Sequence, residues 1–163
     1  MKLRLIERDV EASCKRTLTI NDNEHNCSAF VRAVADDLML FVPGTSGNAN
    51  VQMDFMRLIS TVPGMFSLLG RGRVAEPRAV TAAGQGALVI CGATSGELQQ
   101  NREGVVNHGH VAIVVDGWGP TGWPLAWWGQ LGGTAGRRES LSKCFRASDR
   151  ALISYFAYSA LEP

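Results

Sequence analysis

The chain lacks a close cysteine pair. Its four cysteines, Cys14, Cys27, Cys91 and Cys144, are far apart and make no C-x-x-C motif, which argues against a dense disulfide framework and against a cysteine-based zinc site. It also lacks an excess of either charge: sixteen basic residues face fifteen acidic ones, for a formal charge of +1. No general field is therefore present to draw in nucleic acid or an anionic membrane. Long apolar runs are missing too. Charge breaks up the N-terminal stretch Met1-Lys2-Leu3-Arg4-Leu5-Ile6-Glu7-Arg8-Asp9, so the apolar core of a secretory signal is not found there. No stretch approaches the ~18 apolar residues needed to cross a bilayer. The expectation is a soluble protein, made in the cytoplasm without a signal peptide and not inserted in a membrane. Histidine is scarce as well, with only His25, His108 and His110 available as imidazole bases or ligands.

What is present is ordinary globular material: 163 residues, 45% hydrophobic, enough for one core and one domain spanning residues 1–163. A monomer is expected. Apolar residues at Cys27, Phe30, Val31, Val34, Ala35 and Leu38 follow helical spacing, with Arg32, Asp36 and Asp37 on the other side. Asn26 is the candidate N-cap, so a helix is expected from about 27 to about 40 with Cys27 in its first turn. Pro43 to Asn50 is rich in turn formers and reads as an exposed loop into a second helix near 50–60. Residues 70–86, with Arg71, Arg73 and Arg78 among glycine and alanine, read as a solvated connector, because no aromatic is there to stack on bases. Runs of β type follow at 87–93, 110–115, 125–128 and 153–158. Helices first and strands afterwards predict an α+β domain, with the Cys27 helix packed on an antiparallel sheet.

Chemistry can start from Cys27, because the free amides at a helix N-terminus favour a thiolate, the form that attacks carbonyl carbon. Such a nucleophile needs a base that takes its proton and later gives it to the departing amine. His25 lies in a polar turn and reads as a surface side chain. His108 and His110 flank Gly109 at the start of a strand and share one of its faces, so either could meet the thiol. The same two imidazoles also permit a zinc site with Cys27 or an acidic residue as third ligand, but no H-E-x-x-H or comparable motif accompanies them. Cys91, within an apolar run, reads as a buried inert thiol. The spacing leaves these alternatives open.

Three ordered motifs carry a family resemblance: Asn26-Cys27-Ser28-Ala29-Phe30-Val31, Gly47-Asn48-Ala49-Asn50 and Gly109-His110-Val111-Ala112-Ile113-Val114. Together they resemble the first family of type VI secretion amidase effectors, in the NlpC-type branch of papain-like cysteine peptidases, with supporting similarity from about Cys14 to Tyr158. The resemblance implies a papain-like fold and hydrolysis of a peptidoglycan stem-peptide amide, typically γ-D-glutamyl to meso-diaminopimelate, in the periplasm of a rival cell. It implies delivery by the type VI secretion apparatus, a cognate periplasmic immunity protein as partner, and no metal or cofactor. Carried over by motif, Cys27 is the nucleophile and His110 the base and then acid. Ser28, Asn48, Asn50 and His108 are the candidates for contacting substrate or oxyanion, His108 without a matched counterpart.

The group that orients the imidazole stays open among Gln130, the backbone carbonyl of Trp128 and Asp116. Asp116 is disfavoured, because six residues of strand place it ~20 Å from His110. Ala29 departs from the glycine usual after Cys-Ser, and no cysteine near the C-terminus matches the terminal disulfide of some relatives, so pairing of Cys14 with Cys144 is left open. The four tryptophans, Trp118, Trp123, Trp127 and Trp128, read first as core and sheet packing, with Trp118 and Trp123, in a loop rich in glycine and proline, the better candidates among them for a groove. An acyltransferase or a protein-directed peptidase on the same Cys/His core, and a non-catalytic wall-binding module, remain as alternatives.

Overall fold

The structure, a computed structural model, describes residues 7–40, 42, 47–62, 64, 66–100, 103–104, 106 and 108–158. Pro43 to Ser46, the first half of the expected loop, fall outside the described residues. Among the described residues six strands form one sheet in the order β1-β6-β2-β3-β4-β5, with every neighbouring pair antiparallel. The strands are β1 (Phe66–Arg71), β2 (Leu88–Ala93), β3 (His110–Trp118), β4 (Pro124–Trp128), β5 (Gly136–Ser140) and β6 (Ser154–Tyr158). β2 is buried along its whole length, as a strand covered on both faces must be.

Side-chain alternation along the strands divides the interior into two cores. On one face Leu88, Ile90, Val111, Ile113 and Phe156 meet three helices, α1 (Glu7–Thr17), α2 (Cys27–Asp37) and α3 (Ala49–Ile59). On the other, Val89, Cys91, Ala112, Val114 and Tyr155 meet α4 (Glu76–Gly84), together with Leu141 and Phe145 from the segment after β5. A short helix, α5 (Ser95–Gln99), follows β2 and is capped by Thr94 and Glu97 in a reciprocal box. Among the described residues no helix is long and apolar enough to cross a membrane.

α2 begins and packs as its periodicity predicts. Asn26 Oδ1 accepts the Ala29 N–H at 3.0 Å, and Phe30, Val31, Val34 and Ala35 are buried. The helix stops at Asp37 rather than near 40, where Met39 turns to a φ of 54°. The reading of 70–86 as a solvated connector is corrected: the segment holds the end of β1 and all of α4. Its helical face is Ala75, Ala79, Val80 and Ala83, and alanine is too weakly apolar to stand out among arginines. Those small side chains let α4 lie close on a sheet face that is itself small at Cys91, Ala112 and Ala126. The arginines point outward or pair, as in Arg71 with Glu97 at 3.2 Å. β5, Gly-Arg-Arg-Glu-Ser, was also not anticipated. It is an edge strand carrying charge, which blocks further pairing and erases the apolar alternation by which strands are recognised.

Candidate active site

The site forms where β3 and β4 part. Ile113 pairs with Trp127, so a continued register would set Val111 against Gly129 and His110 against Gln130. The ladder stops at Trp128 instead. Gly129 closes on the 3-10 turn Asn23–His25, so tightly that a Cβ there would overlap the carbonyl oxygens of Asn23 and Asn26. The Gln130 N–H donates to Glu24 O at 2.9 Å. The chain entering α2 is thereby wedged into the gap, with Cys27 at the helix start, half-buried against the helix-side core.

The backbone amides of Val111, Ser28 and Cys27 itself lie near the Cys27 sulfur and favour its charged form. Burial raises the thiol above its ordinary value, and those three N–H groups pull it back down. Burial wins in the resting protein, so the helix N-terminus alone does not make the thiolate expected from its position. Cys14 and Cys144 are pushed well above their ordinary value by burial, and Cys91 is likewise raised.

His110 is the first residue of β3 and the neighbour of Val111. Its side chain follows Ala112 and Val114 onto the α4 side of the sheet, so thiol and imidazole reach the same end of β3 from its two faces. Phe145 meets the imidazole edge-on at 5.2 Å between ring centroids. Burial, and then the charge of His108, push His110 down to about 4, so the ring is neutral at pH 7. Its Nε2 is buried and has no hydrogen-bond partner among the described residues. The ring borders a cavity of about 310 Å³ whose walls include His108, Gln130, Cys144, Phe145 and Arg146. Gln130 and Cys144 also line an adjoining cavity of about 480 Å³ beside Trp128 and Lys143. Cys27 is not among the residues that line either cavity, but it lies near enough to Cys144, which lines both, for the two thiols to interact electrostatically.

The other expected site residues are distributed differently. Ser28 is buried, its hydroxyl bonded to Asn26 Oδ1 at 3.0 Å. Asn48 caps α3 by accepting the Val51 N–H at 3.1 Å. Asn50 donates from Nδ2 to Ser95 Oγ at 2.9 Å and accepts the Ser95 N–H at 2.8 Å. A Cβ on Gly109 would come within 2.7 Å of Asn50 Oδ1, so Asn50 braces the backbone that delivers His110. These three side chains hold the scaffold, whereas exposed His108 faces the cavity. Gln130 is brought beside His110. Trp128 ends β4 with its ring buried under Gly136. Asp116 is exposed and lies against Gly84 at the end of α4, away from the cavity.

Trp123 packs in the core, as the first reading of the tryptophans expects, and is no groove residue: it is 6% exposed, with the Arg150 guanidinium 4.3 Å above its ring. Trp118 is 46% exposed at the far end of β3, and neither lines the two cavities. His25 is at the surface, 3.7 Å from Glu24. All four cysteines are free, with Cys14 in the helix-side core and Cys144 against the opposite one. Phe145, Cys144 and Arg146 were not found from sequence. They follow an unremarked edge strand, and only the turn after it carries them to the cavity.

An α+β fold with a six-stranded antiparallel sheet and a cysteine at a helix start is compatible with a papain-like amidase. No protein-family model matches the chain. Over 151 aligned residues, covering 89% of this chain and 82% of the relative, it is 30% identical to the peptidoglycan amidase Tse1 of Pseudomonas aeruginosa. The chain belongs to the Tse1-like amidase family, and the resemblance seen in the three motifs holds at that level.

Proposed function

We propose that the chain is a peptidoglycan amidase working by cysteine catalysis, with Cys27 as nucleophile and His110 as the proton carrier. The observation that carries this reading is the position of Cys27 at the start of α2, at the break between β3 and β4 and near the amide of the residue after His110. The membership of the Tse1-like family supports the substrate class.

In this mechanism the resting pair is a neutral thiol and a neutral imidazole. As the stem-peptide carbonyl approaches, the thiol proton passes to His110 and the sulfur bonds to the carbonyl carbon. The charge on the carbonyl oxygen is met by backbone N–H groups at the α2 start. Collapse breaks the C–N bond, and the amine leaves with the proton from His110. A water then gives a proton to His110 and attacks the thioester, releasing the acid and restoring the thiol. Gln130, which lines the same cavity as His110, is the group assigned to orient the ring, since its carboxamide oxygen can accept an imidazole N–H. The bond proposed is γ-D-glutamyl to meso-diaminopimelate. Delivery by a type VI apparatus into a recipient periplasm, and inhibition there by an immunity protein, complete the reading.

Digestion of purified Gram-negative sacculi followed by mass spectrometry tests it. One stem-peptide bond should gain water, Cys27→Ala and His110→Ala should each remove that product, and EDTA should not. Turnover by a folded Cys27→Ala protein would sink the reading.

A further inference from the structure

The cavity beside His110 carries a guanidinium to which the reaction described above gives no task. Arg146 is exposed, lines that cavity, and has no ion-pair partner among the described residues. Its backbone is held firmly: the Arg146 N–H donates to Oδ2 of the fully buried Asp149 at 3.2 Å. The preceding residue is Phe145, which touches the His110 ring. The same short segment therefore supports the imidazole and presents a cation beside it. Glu103 and His108 share the wall. The other nearby cation, Lys143 of the adjoining cavity, is already paired with Glu139 at 2.6 Å.

We infer that Arg146 is a specificity-determining residue that binds a carboxylate of the substrate next to the amide being cut, which makes the enzyme selective for acidic peptides. The inference rests on the amidase reading above. Guanidinium forms paired, charge-assisted bonds with carboxylate that a neutral amide does not replace. A γ-linked glutamyl residue leaves its α-carboxylate free beside the scissile bond, and diaminopimelate leaves a carboxylate on the amine side. Either offers the same chemistry to Arg146.

The test uses the full chain and three disaccharide tetrapeptides: one with all carboxylates free, one with the glutamyl α-carboxylate amidated, and one with the diaminopimelyl carboxylate amidated. The wild type should cut the free form about tenfold more efficiently than one of the amidated forms, which identifies the carboxylate bound. Arg146→Gln should lower kcat/KM about tenfold on the free form and leave that amidated form unchanged. Arg146→Lys should recover part of the loss, and salt should weaken the preference. Glu103→Gln should keep it. Equal losses by Arg146→Gln on all three peptides, a preference that survives in Arg146→Gln, or a Glu103→Gln variant that behaves like Arg146→Gln would each overturn the assignment. Failure of the wild type to cut any of the three would remove the amidase reading and this inference together.

Discussion

His110 combines a buried ring with an Nε2 that has no hydrogen-bond partner among the described residues, and that combination has a pH signature. Its ordinary value of 6.5 falls to about 4 in the folded chain, so the unfolded chain binds a proton between those limits that the native state refuses. Above pH 6.5 both states are neutral and the residue contributes nothing to pH dependence. As pH falls from 6.5 towards 4 stability is lost, by about 3 kcal/mol at most, and below 4 the loss levels off. Urea unfolding across that range should show the slope in wild type and a reduced one in His110→Asn; equal slopes would mean the imidazole is not held neutral. Asn26 offers a second measurement at this scale. Its Oδ1 accepts from both the Ala29 amide and the Ser28 hydroxyl, so Asn26→Ala should cost about 1 kcal/mol in thermal unfolding.

Between elements, the decisive contact is the docking of the β4 end on the turn before α2. At Gly129 a Cβ would meet two backbone carbonyls, which cannot swing aside as a side chain can. Gly129→Ala should therefore destabilise the fold by on the order of 2 to 3 kcal/mol and displace the Cys27 sulfur from the Val111 amide. A circular dichroism melt and the sacculus assay would check both effects, and a stable, fully active Gly129→Ala protein would show that the wedge does not position the thiol. Part of this was legible in sequence: the periodicity from Cys27 to Leu38 and the strand from His110 onward needed only local pattern. The wedge was not, because Gly129 and Asn26 are remote in sequence and their contact leaves no local mark.

At the scale of the whole molecule, one buried ion pair ties the α4 side together. Two of the three Arg150 guanidinium nitrogens, Nη2 and Nε, donate to Glu76 at 2.6 and 2.7 Å, and Glu76 is 2% exposed. Arg150→Met strands that carboxylate and should cost about 3 to 5 kcal/mol, of which Glu76→Leu added to it should recover a large part. A single-variant loss below 1 kcal/mol in chemical unfolding would contradict this. The sheet also separates Cys14 from Cys144, one in each core. Thiol titration in denaturant without reductant should accordingly count four free thiols, and the melting temperature should not respond to reductant.

The sequence by itself determined the helix that starts at Cys27, the strands around His110, the α+β class and, through three motifs, the family. Each of these is written in neighbouring residues, as periodicity, capping or ordered motif. Only the tertiary structure decided that residues 70–86 form strand and helix, that Asn50 bonds Ser95 beside Gly109, and that Trp123 is buried under Arg150. It alone brought Gln130, Phe145 and Arg146 to His110. Those outcomes depend on which distant surfaces close on one another, and burial, which sets both the Cys27 thiol and the His110 imidazole, exists only once they have closed.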